Sequence, residues 1–230
     1  MKAVFGISAI ALGSSVAFAG GPVVTHEDSF NAFGADMPYG TNNANANFAI
    51  ARNGAIEIGV KAKERFVGEL ATDGLGRYFA NAGSPNNDGN ATWNIDFGFA
   101  LPQAALPSNY EFLLMVDFDP GFGTQSWVTI DVSQTLQNFF LNVNQGGDSQ
   151  NPGFNLWSVS TSGPLQRELD ASGYIPFDPN TLGEYDVRLI LTEVTGAPLA
   201  EAAIVVEVIP TPGTFALLGL GGLVATRRRR

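Results

Sequence analysis

The chain has 230 residues, with 22 acidic against 12 basic side chains, one histidine and no cysteine. That length suits one domain with enough chain to bury a core, and the missing cysteine excludes disulfides, thiolate nucleophiles and thiolate metal sites together. Every acidic residue falls between Glu27 and Glu207, where the basic residues are Arg52, Lys61, Lys63, Arg65, Arg77, Arg167 and Arg188; that span carries a net charge of −15, which argues against nucleic acid or an anionic membrane surface as partner.

Residues 1–19 read as a signal peptide. Lys2 supplies the positive end, Ala3 to Val16 the apolar run, and Ala17 and Ala19 flank Phe18 in the small-x-small pattern of a cleavage site. The mature chain is expected to begin at or near Gly20. Thr41 to Asn47 is rich in Asn and Ala and is expected to be a loop.

From there to Val208 the chain reads as strands separated by turns. Ala55–Val60 puts Ile56, Ile58 and Val60 on one face, and Lys61–Arg65 is expected either to make a helical turn or to carry that strand into solvent. Thr92–Phe99 alternates strictly, with Trp93, Ile95, Phe97 and Phe99 inward and Asn94 and Asp96 outward. Tyr110–Phe118 is apolar on both faces and so expected to be central. Ser126–Val132 and Phe154–Ser160 continue the pattern. Tyr185–Thr192 and Ala202–Val208 form the clearest pair, joined at Val194–Gly196, and Tyr185 after Gly183-Glu184 resembles the tyrosine corner of immunoglobulin-like sandwiches. Asn81–Asn90 and Asn142–Gly153 read as loops. No repeat of fixed period is present. The expected fold is all-β, an antiparallel β-sandwich of immunoglobulin-like or jelly-roll type, over residues 20–208.

The chemistry on offer is sparse. His26 stands alone near the mature N-terminus, without the partners of a catalytic triad or a zinc site. Glu57, Glu64, Asp96, Glu111 and Glu184 are candidates for the facing carboxylates of a polysaccharide hydrolase, although the alternation makes Asp96 a solvated side chain. Asp117 and Asp119 precede a Pro-Gly turn and are weak candidates for calcium, with Asp88 or Asp148 completing the oxygen set; capping of the turn is the simpler reading. Core packing accounts for Trp93 and Trp157, whereas Trp127, flanked by Thr124, Gln125 and Ser126, is the candidate glycan contact. No catalytic residue and no cofactor is assigned.

Residues 209–230 have a tripartite order: Ile209-Pro210-Thr211-Pro212-Gly213, an apolar run to Thr226, and then Arg227, Arg228, Arg229 and Arg230. The apolar run is shorter than the roughly 20 residues that span a bilayer comfortably, and the arginines favour the cytoplasmic side, leaving the rest of the chain outside. This tail resembles the PEP-CTERM sorting signal, with Pro210, Thr211, Pro212 and the four arginines as its matching residues; Thr211 stands where that family usually has Glu. The resemblance implies recognition and removal of the tail by an exosortase-like membrane protease or transpeptidase, with transient anchoring in the inner membrane and delivery to the cell surface or extracellular matrix. An uncleaved tail anchor is the alternative. The segment Lys61–Leu70, with Asp73-Gly74 and Ala91–Asn94, is also similar to the body of uncharacterised secreted proteins that carry such tails. A structural or interaction role linked to exopolysaccharide follows as the expectation, with a carbohydrate-binding module second and a secreted hydrolase third.

Overall fold

The computed structural model describes residues 23–31, 47–102, 109–133, 140–142, 144–154, 157, 167–169, 173–194 and 198–211. The signal-peptide residues 1–19 and the tail from Pro212 onward lie outside these. Among the described residues no helix is long and apolar enough to cross a membrane.

Among the described residues fourteen strands occur in chain order: β1 (Val23–Asp28), β2 (Phe48–Asn53), β3 (Ile56–Glu64), β4 (Gly68–Glu69), β5 (Ala71–Thr72), β6 (Arg77–Asn81), β7 (Trp93–Ala100), β8 (Tyr110–Asp117), β9 (Trp127–Asp131), β10 (Phe140–Asn142), β11 (Gln145–Gln150), β12 (Arg167–Leu169), β13 (Gly183–Glu193) and β14 (Pro198–Ile209). One sheet runs β1-β2-β3-β7-β11-β10, with β4 beside β3; the other runs β12-β9-β8-β13-β14-β6-β5. The fold is all-β and sandwich-like, as the alternation implies. It is not wholly antiparallel, because β6 pairs parallel to β14, from Val205 opposite Arg77 to Ile209 opposite Asn81.

Period-two alternation decides which side chains meet between the sheets. Trp93, Ile95, Phe97 and Phe99 of β7 join Phe112, Leu114 and Val116 of β8, Tyr185, Val187, Leu189 and Leu191 of β13, and Ala202, Ile204, Val206 and Val208 of β14 in one buried cluster. Fully burying each large side chain of this kind is worth about 1.5–3 kcal/mol. Aromatic rings lock the layers: Phe99 lies 4.5 Å from Phe112 and Trp93 lies 6.0 Å from Tyr185, measured between ring centroids. Trp157 is buried against Phe118, so Trp93 and Trp157 are core residues, as expected.

Of the two alternatives for Lys61–Arg65, the continued strand holds: β3 runs on to Glu64, paired with β7 from Glu57, although Lys61 and Lys63 are buried and do not enter solvent. Two other expectations change. The segment beginning at Phe154 is not a strand where it is described: Phe154 donates its N–H to Asn151 and Trp157 to Phe154, the bonds of successive tight turns. Gln145–Gln150, expected as loop, pairs with β7 over six residues. The exposed backbone of β7 supplies the ladder that the polar sequence of β11 does not advertise.

The first sheet is also covered on its outer face. Phe30, Phe48, Ile50 and Ala100 form a second buried cluster there. Gly59 admits the Phe30 ring, since a Cβ at that position would stand 2.8 Å from its ζ carbon. Asp96 and Lys61 are 0% exposed and Lys63 is 3% exposed. The expectation of a solvated Asp96 is therefore wrong: alternation correctly places it away from the core, but the face it points to is not open to water.

Candidate functional site on the second sheet

Because Tyr185 and Val187 of β13 point into the core, Asp186 and Arg188 point out of it. Asp117 ends β8 directly opposite Trp127, which begins β9. Arg77 begins β6, two strands from β13. These side chains share the outer face of the second sheet, whose strand ends form a polar strip with one aromatic ring.

The strip is tied together by charge. The Arg77 guanidinium contacts Glu184 and reaches Glu207 at 3.1 Å, bridging two carboxylates that face each other across β13 and β14. The Glu184 hydrogen bond first, with the other carboxylate contacts, holds Arg77 above its usual range. Arg188 reaches Glu201 at 3.5 Å and lies 4.8 Å over the Trp127 ring, a cation–π contact spanning β8. Trp127 is half-buried. Burial pushes both Asp117 and Asp186 up; the neighbouring charge of Asp186 adds to the rise at Asp117, whereas Arg188 opposes it at Asp186.

At the β6 end the strip opens into a cleft of about 360 Å³, lined by His26, Asp73, Leu75, Arg77, Asp186 and Arg188. Such a volume lies within the roughly 300–1,000 Å³ of small-molecule sites. Asp73 shapes its rim: Oδ1 accepts the N–H groups of Leu75 (2.8 Å) and Arg77 (3.0 Å), which hold its carboxyl below the usual range. Gly76 lies in the left-handed region at φ +91°, and a Cβ there would meet His26 Nδ1 at 2.7 Å. The exposed His26 thus belongs to β1 and packs against the cleft wall.

The other sequence candidates lie apart. Asp117 Oδ1 accepts the N–H groups of Ser126 (2.7 Å) and Asp119 (2.9 Å), and Asp119 Oδ1 accepts that of Gly121 (2.9 Å); both aspartates cap the turn. Asp88 accepts from Ser84 and Asn90 in the β6–β7 loop, and Asp148 is on the first sheet, so the oxygens considered for calcium are not assembled. Among the described residues no group of three or more His, Asp or Glu could hold a metal ion. Of the candidate hydrolase carboxylates, Glu57, Glu64 and Asp96 are on the first sheet and Glu111 and Glu184 on the second. Glu57 is occupied by Arg52 Nε at 2.8 Å and by the N–H and side-chain amide of Asn31.

Against family models, curated proteins and solved structures, the chain finds no match. The cleft residues Asp73, Arg77, Asp186 and Arg188 were not singled out from sequence. Alternation on β13 was the available signal for Asp186 and Arg188; nothing local marked Arg77, and Asp73 entered only through the Asp73-Gly74 resemblance, without a role.

Proposed function

We propose that this chain is an exported surface or extracellular-matrix protein, delivered by the signal peptide 1–19 and sorted through the PEP-CTERM-like residues 209–230. Its role is interaction rather than catalysis, and its ligand class is exopolysaccharide, gripped at the outer face of the second sheet. One observation carries the ligand class: the open cleft of about 360 Å³ whose Arg188 wall runs on to the half-buried Trp127 ring. Sugars present both flat apolar faces and dense hydroxyls; the Trp127 indole beside Arg188 offers a surface for the first, and Arg188, Asp186 and, farther along the strip, Arg77 offer donors and acceptors for the second. We read the fold as immunoglobulin-like, because the buried Tyr185 donates its hydroxyl to the carbonyl of Thr181 at 3.4 Å, four residues upstream.

Two measurements test this reading. Intact mass of the protein recovered outside an exosortase-bearing host is expected to correspond to a chain from Gly20 to the region Pro210–Gly213. Recovery in the membrane fraction with Arg227–Arg230 attached would sink the sorting proposal. In affinity electrophoresis against the host's own exopolysaccharide, the wild type is expected to be retarded, and Trp127→Ala and Arg188→Ala are each expected to weaken binding about tenfold, the effect of losing about 1.4 kcal/mol. Equal mobility of all three chains with and without polysaccharide would remove the glycan assignment.

A further inference from the structure

On the outer face of the first sheet, β3 and β7 run antiparallel, with Lys61 opposite Asp96 and Lys63 opposite Asn94. Lys63 and Asp96 are therefore a diagonal pair, whose backbones stand about 7–8 Å apart, a gap that a lysine stem and an aspartate together span. Lys63 Nζ lies 3.3 Å from Asp96 Oδ2, and the two side chains are 3% and 0% exposed. Neither Asp96 oxygen makes a hydrogen bond of normal geometry. Lys61 is committed elsewhere, 2.8 Å from Glu69 Oε1 and over the Phe48 ring at 4.9 Å. An amine and a carboxyl group are thus held in contact and screened from water.

We propose that Lys63 and Asp96 become covalently joined after folding, through an isopeptide bond between Lys63 Nζ and Asp96 Cγ. Burial disfavours the separated charges of the ion pair. It pushes the Asp96 carboxyl up, with the Lys63 charge the largest opposing influence. Transfer of one proton from the ammonium to the carboxylate gives a neutral amine facing a neutral acid. The nitrogen lone pair then attacks Cγ, forming the C–N bond and leaving positive charge on the nitrogen and negative charge on a carboxyl oxygen. The C–OH bond breaks, and the hydroxyl leaves as water with a proton from the nitrogen. No oxidant, reductant or cofactor enters the balance. Fixed proximity substitutes for activation of the acid, as it does in fast intramolecular reactions. The product would tie two adjacent strands of the first sheet in a chain that has no cysteine to do so.

The test is the intact mass of the full chain, purified folded, followed by proteolysis and peptide mapping. The expected mass is one water below that of the processed sequence, with a branched peptide joining Lys63 to Asp96. Lys63→Arg keeps the positive charge but offers no nucleophilic amine, and it is expected to restore the full mass, as is Asp96→Ala. A wild-type chain at full mass, with Lys63 and Asp96 in separate linear peptides, overturns the proposal. Loss of ammonia with a branch at Asn94 overturns it too, as does water loss mapped to a succinimide at Asp73-Gly74 or Asp88-Gly89. The wild-type measurement is decisive even where a variant fails to fold.

Discussion

Asp117 caps a turn with one carboxylate oxygen while the rest of its side chain is withdrawn from water. Removing the acceptor by Asp117→Ala leaves the N–H of buried Ser126 unsatisfied, and urea denaturation is expected to show a loss of about 1–3 kcal/mol. The charge has a separate signature. Burial raises Asp117, Asp148 and Asp186 above the ordinary aspartate value of 3.8. The folded chain therefore keeps protons that the unfolded chain has released. These three groups make stability fall as pH rises from that ordinary value to their raised ones, with no further effect above. Asp117→Asn keeps the acceptor and removes the titration, so its stability is expected to decline less over that interval, as thermal melts across an acidic pH series would show. Gly183 is the other decisive residue. Its φ of +144° suits glycine, and a Cβ there would sit 2.2 Å from the carbonyl oxygen of Pro120. Gly183→Ala is expected to cost at least about 2 kcal/mol, read as a lower melting temperature.

Between elements, Asn151 does what no hydrophobic pattern could announce. Fully buried, it accepts the N–H groups of Ala91 and Gly153 at Oδ1, and the two hydrogens of its Nδ2 are shared among Ala91 O, Trp93 O and Asn94 Oδ1. Its own carbonyl accepts the Trp157 indole N–H. The start of β7 and the turn after β11 are thereby clipped together, placing Trp157 in the core without a strand beneath it. Asn151→Ala strands several buried groups at once, and an expected loss of about 3 kcal/mol in urea unfolding follows. Asn151→Asp is also expected to destabilise, because a carboxylate cannot donate to the two carbonyls. Elements with strong alternation, β7, β8, β13 and β14, were legible from sequence because one side of each faces the core. β11 and β6 were not: the first is polar and held by backbone pairing, and the second is a five-residue strand whose partner β14 lies far along the chain.

Over the whole molecule, the described core between the two sheets is contributed by residues from Ala49 to Val208. Among the described residues, the C-terminal ties are Ala82 N–H to Ile209 O at 2.9 Å and Thr211 Oγ1 to Ala82 O at 2.8 Å. A chain shortened to residues 20–212 keeps both ties and is expected to unfold cooperatively. Ending the chain at Val208 removes both ties and is expected to lower stability by about 1–2 kcal/mol; differential scanning calorimetry of the two lengths makes the comparison.

The all-β class and the identities of the inward residues were determined by sequence alone, because period two is a local property of the backbone and apolar side chains must leave water somewhere. Which polar residues face water was not. Asp96 and Asp186 occupy equivalent outward positions in their alternations, yet one is sealed beside Lys63 and the other borders a cleft. The same limit applies to the candidate site. Trp127 was visible as an aromatic in a polar setting, but Arg188 reaches its ring only because β8 lies between β9 and β13, and His26 meets Gly76 only across the two sheets. Burial of an outward face and the meeting of side chains distant in sequence depend on strand order and on what covers each sheet, and these are settled by long-range packing that no local stretch of sequence contains.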